Sequence, residues 1–454
     1  MEACSKKFSP KDIRDDFVPK DAYVDPAFAR CEEERLWPYV WQLACRLEEI
    51  PKVGDYYTYD IIDDSIIVVR TGEDSIKAYH NACTHRGLPL TQSVGHADYF
   101  HCRYHGWKFS LDGECTDIID RQDWSGCLTG DDVNLREVKV GTWGGAVFIN
   151  MDLDCQPLEE FIRPVSDQCD KFEFEKLRYA WYKTLIVPAN WKQVLEAFNE
   201  FYHVQQTHPQ LLTFTNDYSK SVGLGRHGRV SFAAEGAVPL KRSDRLPPKE
   251  VSDYRDYVLD FVEKYNRDLG AMVTEHHTRA AERLRTEVAA DASPEEVLAK
   301  WGQFTVEEAA ADGVEWPKEL TPEYLERSGL DWHVFPNTIF LHGMVDGVLW
   351  YRVRPNGSDH NSAIFDIASL VRYAPGKEPE LKREFYPEWR DVDWPMIYKQ
   401  DLVNLNVLQR GMKSRGFAGQ RTNPLQERAI VNFHRALRRF MEDPYDHPQP
   451  DQEA

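Results

Sequence analysis

No cysteine follows Cys169 in this chain of 454 residues, and the nine cysteines show no disulfide-framework spacing. Seven of them, Cys4, Cys31, Cys45, Cys115, Cys127, Cys155 and Cys169, are read as free thiols, mostly packed, in a reducing compartment. There is no run of 18 apolar residues, so no membrane-spanning helix is expected. Met1-Glu2-Ala3-Cys4-Ser5-Lys6-Lys7 leads into charged sequence, so no signal peptide is expected either, and the predicted location is the cytoplasm. Basic residues are in deficit: 55 Lys and Arg against 75 Asp and Glu leave a net charge of −20. Such a surface repels phosphate backbones and anionic headgroups, which excludes nucleic acid and an anionic membrane as expected partners. A basic redox protein remains compatible. Internal repeats and low-complexity tracts are missing too.

What is present points to a two-domain globular chain, since this length exceeds one ordinary core. A hydrophobic content of 42% with 12% aromatics supplies a core and an apolar pocket. Residues 11–47 carry helical patterning around Phe28, Leu36, Trp37 and Trp41. Strand signals follow at Tyr56–Ile62, Ser65–Arg70 and Ile76–Tyr79, then at Tyr99–His101 and Trp107–Ser110, with a closing strand over Trp143–Asn150. Residues 40–155 thus read as a small antiparallel β domain with loops at one end. Beyond it, helix and strand mix. A strand is predicted over Tyr179–Val187, and others at Asn337–His342, Val348–Arg354 and Ala363–Ala368. Helices are expected at about 395–414 and 425–441. The charged stretch 247–329 predicts helices over Val251–Tyr265 and His276–Ala290; solvated surface helices are the first reading, a lid or subunit contact the second. The tail after Asp443 is expected to be loose.

Chemistry concentrates in two places. Cys83-Thr84-His85-Arg86-Gly87 is followed, with sixteen residues between His85 and Cys102, by Cys102-Arg103-Tyr104-His105-Gly106-Trp107. Two thiols and two imidazoles could hold one zinc ion, but zinc sites usually keep like ligands together. Each loop here supplies one Cys and one His, the split that a Rieske [2Fe–2S] cluster needs, and the pattern closely resembles the Rieske signature. Four unrelated core residues are the bland alternative. The second place is Asn190-Trp191-Lys192, then Glu196-Ala197-Phe198-Asn199-Glu200-Phe201-Tyr202-His203, four residues and His208. Two histidines five apart diverge by about 140° on a regular helix, so they share a metal only if the helix distorts or ends between them. Pro209 disfavours helical geometry at His208. A carboxylate added to two histidines makes the facial triad of a non-haem Fe(II) oxygenase.

This second stretch resembles the catalytic motif of the Rieske non-haem iron oxygenases, the ring-hydroxylating oxygenase α-subunit family. The resemblance implies an α+β fold: a Rieske domain at 40–155, a larger helix-grip catalytic domain with an antiparallel sheet and helices at 156–454, and residues 1–39 as a helical segment packing on the latter. It implies that Cys83, His85, Cys102 and His105 hold the cluster, and that His203, His208 and a late Asp hold iron. Gln400-Asp401 ahead of Gln409-Arg410-Gly411 makes Asp401 the choice, with Asp391 and Asp393 as weaker candidates. Glu200 takes the place of the acidic residue that, in the family, links an iron-ligating His to the cluster His of a neighbouring subunit, His105 here. Dioxygenases generally have Asp there, and several quaternary-amine monooxygenases and demethylases have Glu. Ala197 departs from the family's usual Asn. By resemblance the partners are a NAD(P)H-dependent reductase, a ferredoxin in some systems, and copies of the chain in a trimer, with or without a small β-subunit.

Three functions follow. The first is hydroxylation or dihydroxylation of a hydrophobic, aromatic substrate with O₂. The second is monooxygenation or demethylation of a quaternary amine or methyl ether. The third is electron transfer without oxygenation. Phe198, Phe201, Leu212, Phe214, Phe335, Phe340, His342 and Met344 are the candidate pocket residues, and Arg352 or Arg354 the candidate carboxylate binders.

Overall fold

The computed structural model describes residues 8–215, 218–232 and 240–445. From residue 446 on, the tail expected to be loose lies outside the described residues. Helix α1 (Pro26–Arg35) is capped by the Asp25 side chain on Ala27 N. The remaining helical signal of residues 11–47 does not form one long helix, because Gln42–Arg46 pairs into a sheet as β1. That sheet has seven strands in the order β1-β10-β9-β4-β3-β2-β5. Its members are β2 (Asp55–Ile61), β3 (Asp64–Gly72), β4 (Ser75–His80), β5 (Val94–His96), β9 (Glu137–Trp143) and β10 (Ala146–Asn150). A three-stranded sheet of β6 (Phe100–His101), β7 (Lys108–Phe109) and β8 (Cys115–Asp117) stands beside it. The strand expected over Trp143–Asn150 forms over Ala146–Asn150, and its first residues are a hairpin corner. Gly144 and Gly145, at φ +56° and +78°, turn the chain between β9 and β10. Two consecutive positive φ angles are what a tight hairpin of right-handed twist demands.

The larger sheet has eight strands in the order β12-β13-β14-β15-β16-β17-β11-β18. They are β11 (Leu177–Val187), β12 (Ser219–Leu224), β13 (His227–Phe232), β14 (Asp331–Val334), β15 (Thr338–Leu341), β16 (Gly347–Asn356), β17 (Asp359–Arg372) and β18 (Arg383–Tyr386). All neighbours run antiparallel except β18, which joins β11 in parallel at the edge. Helices α2 (Trp191–Glu196), α3 (Val204–Thr207), α7 (Met396–Met412) and α8 (Arg428–Glu442) belong to this half of the chain.

Arg352 is buried where the two large sheets meet. Its guanidinium donates to the carbonyls of Leu43 and Ala44 on β1 and pairs with Asp366 at 2.9 Å. Arg354 donates to the Asp60 carbonyl of β2. Both arginines therefore join β16 to the small domain, and neither lines the main cavity, which corrects their reading as carboxylate binders.

The charged stretch 247–329 is not a set of solvated helices. It forms α4 (Tyr254–Asp268), α5 (Glu275–Glu287) and α6 (Pro294–Ala311), which enclose a core of their own around Phe261, Leu284, Trp301 and Phe304. Its charges sit outside that core, where Arg279 and Arg283 of α5 pair with Glu307, Glu308 and Asp312. Gly347 seats this unit on the sheet, since a Cβ there would overlap the Met272 carbonyl oxygen. Gly347→Ala is expected to lower unfolding free energy by about 3 kcal/mol, the upper end for overpacking, in urea titrations. Unchanged stability would show that Met272 can give way.

Cys31 is disulfide-bonded, which corrects its reading as a free thiol; Cys4 lies outside the described residues. Cys45, Cys115, Cys127, Cys155 and Cys169 are free. No helix among the described residues is long and apolar enough to cross a membrane.

Candidate active site

The two Cys–His loops have the same construction. Cys83 N donates to Leu88 O at 2.9 Å and Gly87 N returns to Cys83 O at 2.7 Å. Cys102 N donates to Trp107 O and Gly106 N returns to Cys102 O, both at 2.9 Å. Gly87 and Gly106 hold φ of +77° and +74°, which lets each loop double back within five residues. Both cysteines are buried, while both histidines stand partly exposed nearer the surface. The His85 and His105 rings lie 4.4 Å apart, and His85 stacks on Trp107 at 5.0 Å. His85 Nδ1 is buried without a hydrogen-bond partner among the described residues. Burial pushes the Cys83 thiol up to about 11, so a cation is needed to hold it as thiolate. Inner thiolates and outer imidazoles fit a two-iron cluster with Cys on one iron and His on the other.

The iron-type site starts at Asn190, whose side chain accepts from Lys192 N and caps α2. The rest of Asn190-Trp191-Lys192 is structural: Lys192 pairs with Glu32 of α1 at 2.7 Å, buried, and Trp191 Nε1 donates to Glu32. The chain leaves helix after Glu196 and re-enters it only for α3, which has His203 at its N-cap and His208 at its C-cap. The two histidines thus flank one short turn of helix, which ends at His208, and their imidazoles meet. Their ring centroids are 5.2 Å apart. Asp401 reaches them from the buried face of α7, with its Oδ1 3.0 Å from His208 Nε2 and 3.7 Å from His203 Nε2. Ligands ~2.1 Å from a metal and at right angles stand ~3 Å apart, so the spacing suits three ligands of one ion. Asp391 and Asp393 are exposed, and Asp393 pairs with Lys399.

The far nitrogens are also held. His203 Nδ1 meets Glu200 Oε1 at 2.6 Å, and His203 N donates to Glu200 Oε2 at 3.1 Å. This contact closes through a turn. Burial lowers the His203 imidazole's pKa, but Glu200 and then Asp401 outweigh it and hold it up at about 9. His208 Nδ1 meets Gln400 Oε1 at 2.8 Å, a partner that sequence reasoning missed although it adjoins Asp401. Each ring thereby turns Nε2 toward the shared point. Gln400→Leu is expected to weaken Fe(II) retention about 10- to 100-fold in equilibrium dialysis. Wild-type retention in that variant would assign His208's orientation to packing alone. Near Glu200, burial pushes Asp331 up to about 8 and Glu427 up to about 7, with the Glu200 charge adding to both.

A cavity of about 500 Å³ opens onto His203, His208 and Asp401. Phe198, Phe201, Phe214 and Met344 line it, as expected. Leu212, Phe335, Phe340 and His342 do not. Phe335 packs on Phe433 and Phe440 of α8, Phe340 on Trp143 and Phe174, and His342 on Phe172. The wall they were expected to form comes largely from α4, α5 and α6 through Phe261, Tyr265, His277 and Trp301. Charged patterning hid these residues from the sequence reading.

A cysteine–histidine cluster site and a two-histidine, one-carboxylate site over an apolar cavity define a two-centre redox protein. A Rieske [2Fe-2S] domain model matches residues 40–126, and a model of the ring hydroxylating alpha subunit catalytic domain matches residues 174–443. The chain belongs to the ring hydroxylating alpha subunit family, with a Rieske [2Fe–2S] domain ahead of a non-haem iron catalytic domain. It is similar to the glycine betaine monooxygenase oxygenase subunit of Chromohalobacter salexigens, 32% identical over 45% of this chain and 46% of that one. The chain spans about half the length of the curated relatives it matches. Among solved structures it resembles the quaternary ammonium Rieske monooxygenase CntA with L-carnitine bound, at TM-score 0.64 and 18% identity, covering 96% of this chain and 99% of that one. Naphthalene 1,2-dioxygenase with indole bound gives the same TM-score at 17% identity, covering 98% and 95%. At these identities the likeness to solved structures is one of fold.

Proposed function

We propose that this chain is the oxygenase subunit of a system that takes electrons from a NAD(P)H-dependent reductase, directly or through a ferredoxin, and oxygenates a hydrophobic, aromatic substrate. In this reading Cys83, His85, Cys102 and His105 hold the [2Fe–2S] cluster, and His203, His208 and Asp401 hold Fe(II). The bound cluster supplies single electrons and the iron supplies O₂ activation at its open positions. The chain's own residues do the rest. Gln400 and Glu200 fix the two imidazoles, and the cavity wall orients the substrate and keeps bulk water out.

The observation that carries the aromatic reading is the cavity's lining, which contains no Lys or Arg among the described residues. Glycine betaine and carnitine both carry a carboxylate, which would enter this wall without a cation to meet it. The second reading, oxygenation of a quaternary amine or methyl ether, draws support from Glu200 and from the aromatic wall, which could stack on an ammonium. A substrate screen with a surrogate reductase decides between them. Diol or phenol products from arenes support the first reading, and aldehyde release from methyl donors alone would replace it with the second.

The same reading divides the chain at residues 39 and 155, with 1–39 docked on the catalytic domain. Tyr23 and Glu32 support this, through their bonds to Glu196 and Lys192. It also places copies of the chain in a ring where Glu200 of one subunit faces His105 of the next. Exposed apolar residues stand beside both centres: Tyr202, Val403 and Val407 near the iron ligands, Tyr104 and Ile119 near the cluster loops. Such exposure beside functional residues is what a subunit contact would cover.

A further inference from the structure

His277 of α5 lines the cavity with Phe261, Tyr265 and Trp301, and the metal centres make no use of it. It is the third residue of the helix, and its ring folds back onto the N-cap, Thr274. Thr274 N donates to His277 Nδ1 at 3.1 Å. A backbone N–H cannot give up its proton, so Nδ1 presents a lone pair, and in the neutral ring the proton sits on Nε2. The Thr274 hydroxyl, 2.9 Å from the same Nδ1, has Asp346 Oδ2 as an acceptor at 2.9 Å. Asp346 is fully buried and is balanced by His276, whose Nδ1 lies 2.8 Å from Oδ2 and whose Nε2 lies 3.3 Å from Asp312. Burial lowers the His276 pKa, but Asp346 and then Asp312 outweigh it and hold it above the ordinary imidazole value. Burial lowers His277 as well, and there Asp346 does not make up the loss. Trp301 Nε1 donates to the His277 carbonyl at 3.0 Å and locks this turn to α6.

Nδ1 is thus committed to the helix cap, and among the described residues no protein group bonds His277 Nε2. The Thr305 hydroxyl, also on the lining, is spent on the Trp301 carbonyl. We infer that His277 Nε2–H is a fixed hydrogen-bond donor in the cavity wall, and that it selects apolar substrates bearing one neutral accepting oxygen, such as a ketone, amide, ester or ether. An amine N–H would meet a donor with a donor. A carboxylate would meet a neutral ring in a cavity that already contains Asp401 and Glu200. A donor held in an apolar wall discriminates strongly, because the analogue without the oxygen leaves it unpaired.

The inference rests on the reading of this cavity as the substrate site, and matched probes separate the two. Indane and 1-indanone share a skeleton and differ by one carbonyl oxygen. Equilibrium dialysis of the metal-loaded wild type is expected to retain 1-indanone at least about tenfold more tightly than indane. His277→Leu should weaken 1-indanone alone and erase the difference. His277→Gln should keep most of it, since an amide can accept from Thr274 N and still donate to the cavity. Tyr265→Phe, which removes the phenol on the neighbouring helix, should leave the ratio unchanged. Equal weakening of both probes in His277→Leu, or none, overturns the inference, as does a ratio that collapses in Tyr265→Phe. A wild type that binds neither probe overturns the substrate-site reading itself, and the inference with it.

Discussion

Replacing His208 with Ala is expected to abolish product formation while the visible spectrum of the iron–sulfur cluster stays unchanged. Two of the three groups converging on the iron-type site would remain, His203 and Asp401, and Gln400 would lose the ring it orients. Losing a group whose nitrogen lies 3.0 Å from the Asp401 carboxylate should cost more than the roughly 100-fold that a supporting residue costs. The cluster loops are separate from this site. They close on their own backbone bonds, between Cys83 and Leu88 and between Cys102 and Trp107, and among the described residues share no hydrogen bond with α3 or α7. Steady-state product analysis beside an absorption spectrum reads both effects in one sample. Oxygenation persisting in His208→Ala would move the active site elsewhere, and loss of the cluster spectrum as well would mean that the two halves fold as one.

The second large effect is on stability. Lys192→Met should destabilise the fold by about 3–5 kcal/mol, because it leaves Glu32 buried without its partner. The pair spans 2.7 Å, and Lys192 lies over the rings of Phe28 and Trp191, so both the charge and its stem are packed. Burial pushes the Glu32 carboxyl up and the Lys192 ammonium down, against their mutual attraction, so each depends on the other to stay ionised. The double replacement of Glu32 and Lys192 by Met should recover most of the loss in denaturant titrations. A single variant as stable as wild type would show that the pair adds nothing to the docking of α1 on α2.

Much of the site was legible because its residues lie close together in the chain. His203 and His208 are five apart, and each cluster loop fits within six residues, so local spacing states which side chains can converge. Asp401 was legible only through resemblance, since a lone Asp near a helix start is usually a cap. The strands were legible where one face is buried, and the alternation fails at Gly144-Gly145, where a hairpin corner hides inside an apolar run. The charged stretch 247–329 misled because its ion pairs lie outside and its apolar face is shared among three helices. No single helix of the three shows that its inner face meets Phe214 and Met344 from elsewhere in the chain.

The amino-acid order by itself determined the ligand types, their pairing within each loop, and the break that Pro209 enforces at the end of α3. These are short-range properties, set by backbone geometry over a few residues. Tertiary structure alone decided what the ligands face. It set Gln400 behind His208, used Arg352 and Arg354 to join the domains, and closed the cavity with Trp301 and His277. Burial in a shared core depends on contacts between segments a hundred or more residues apart, and no periodicity within one segment encodes which other segment it will meet.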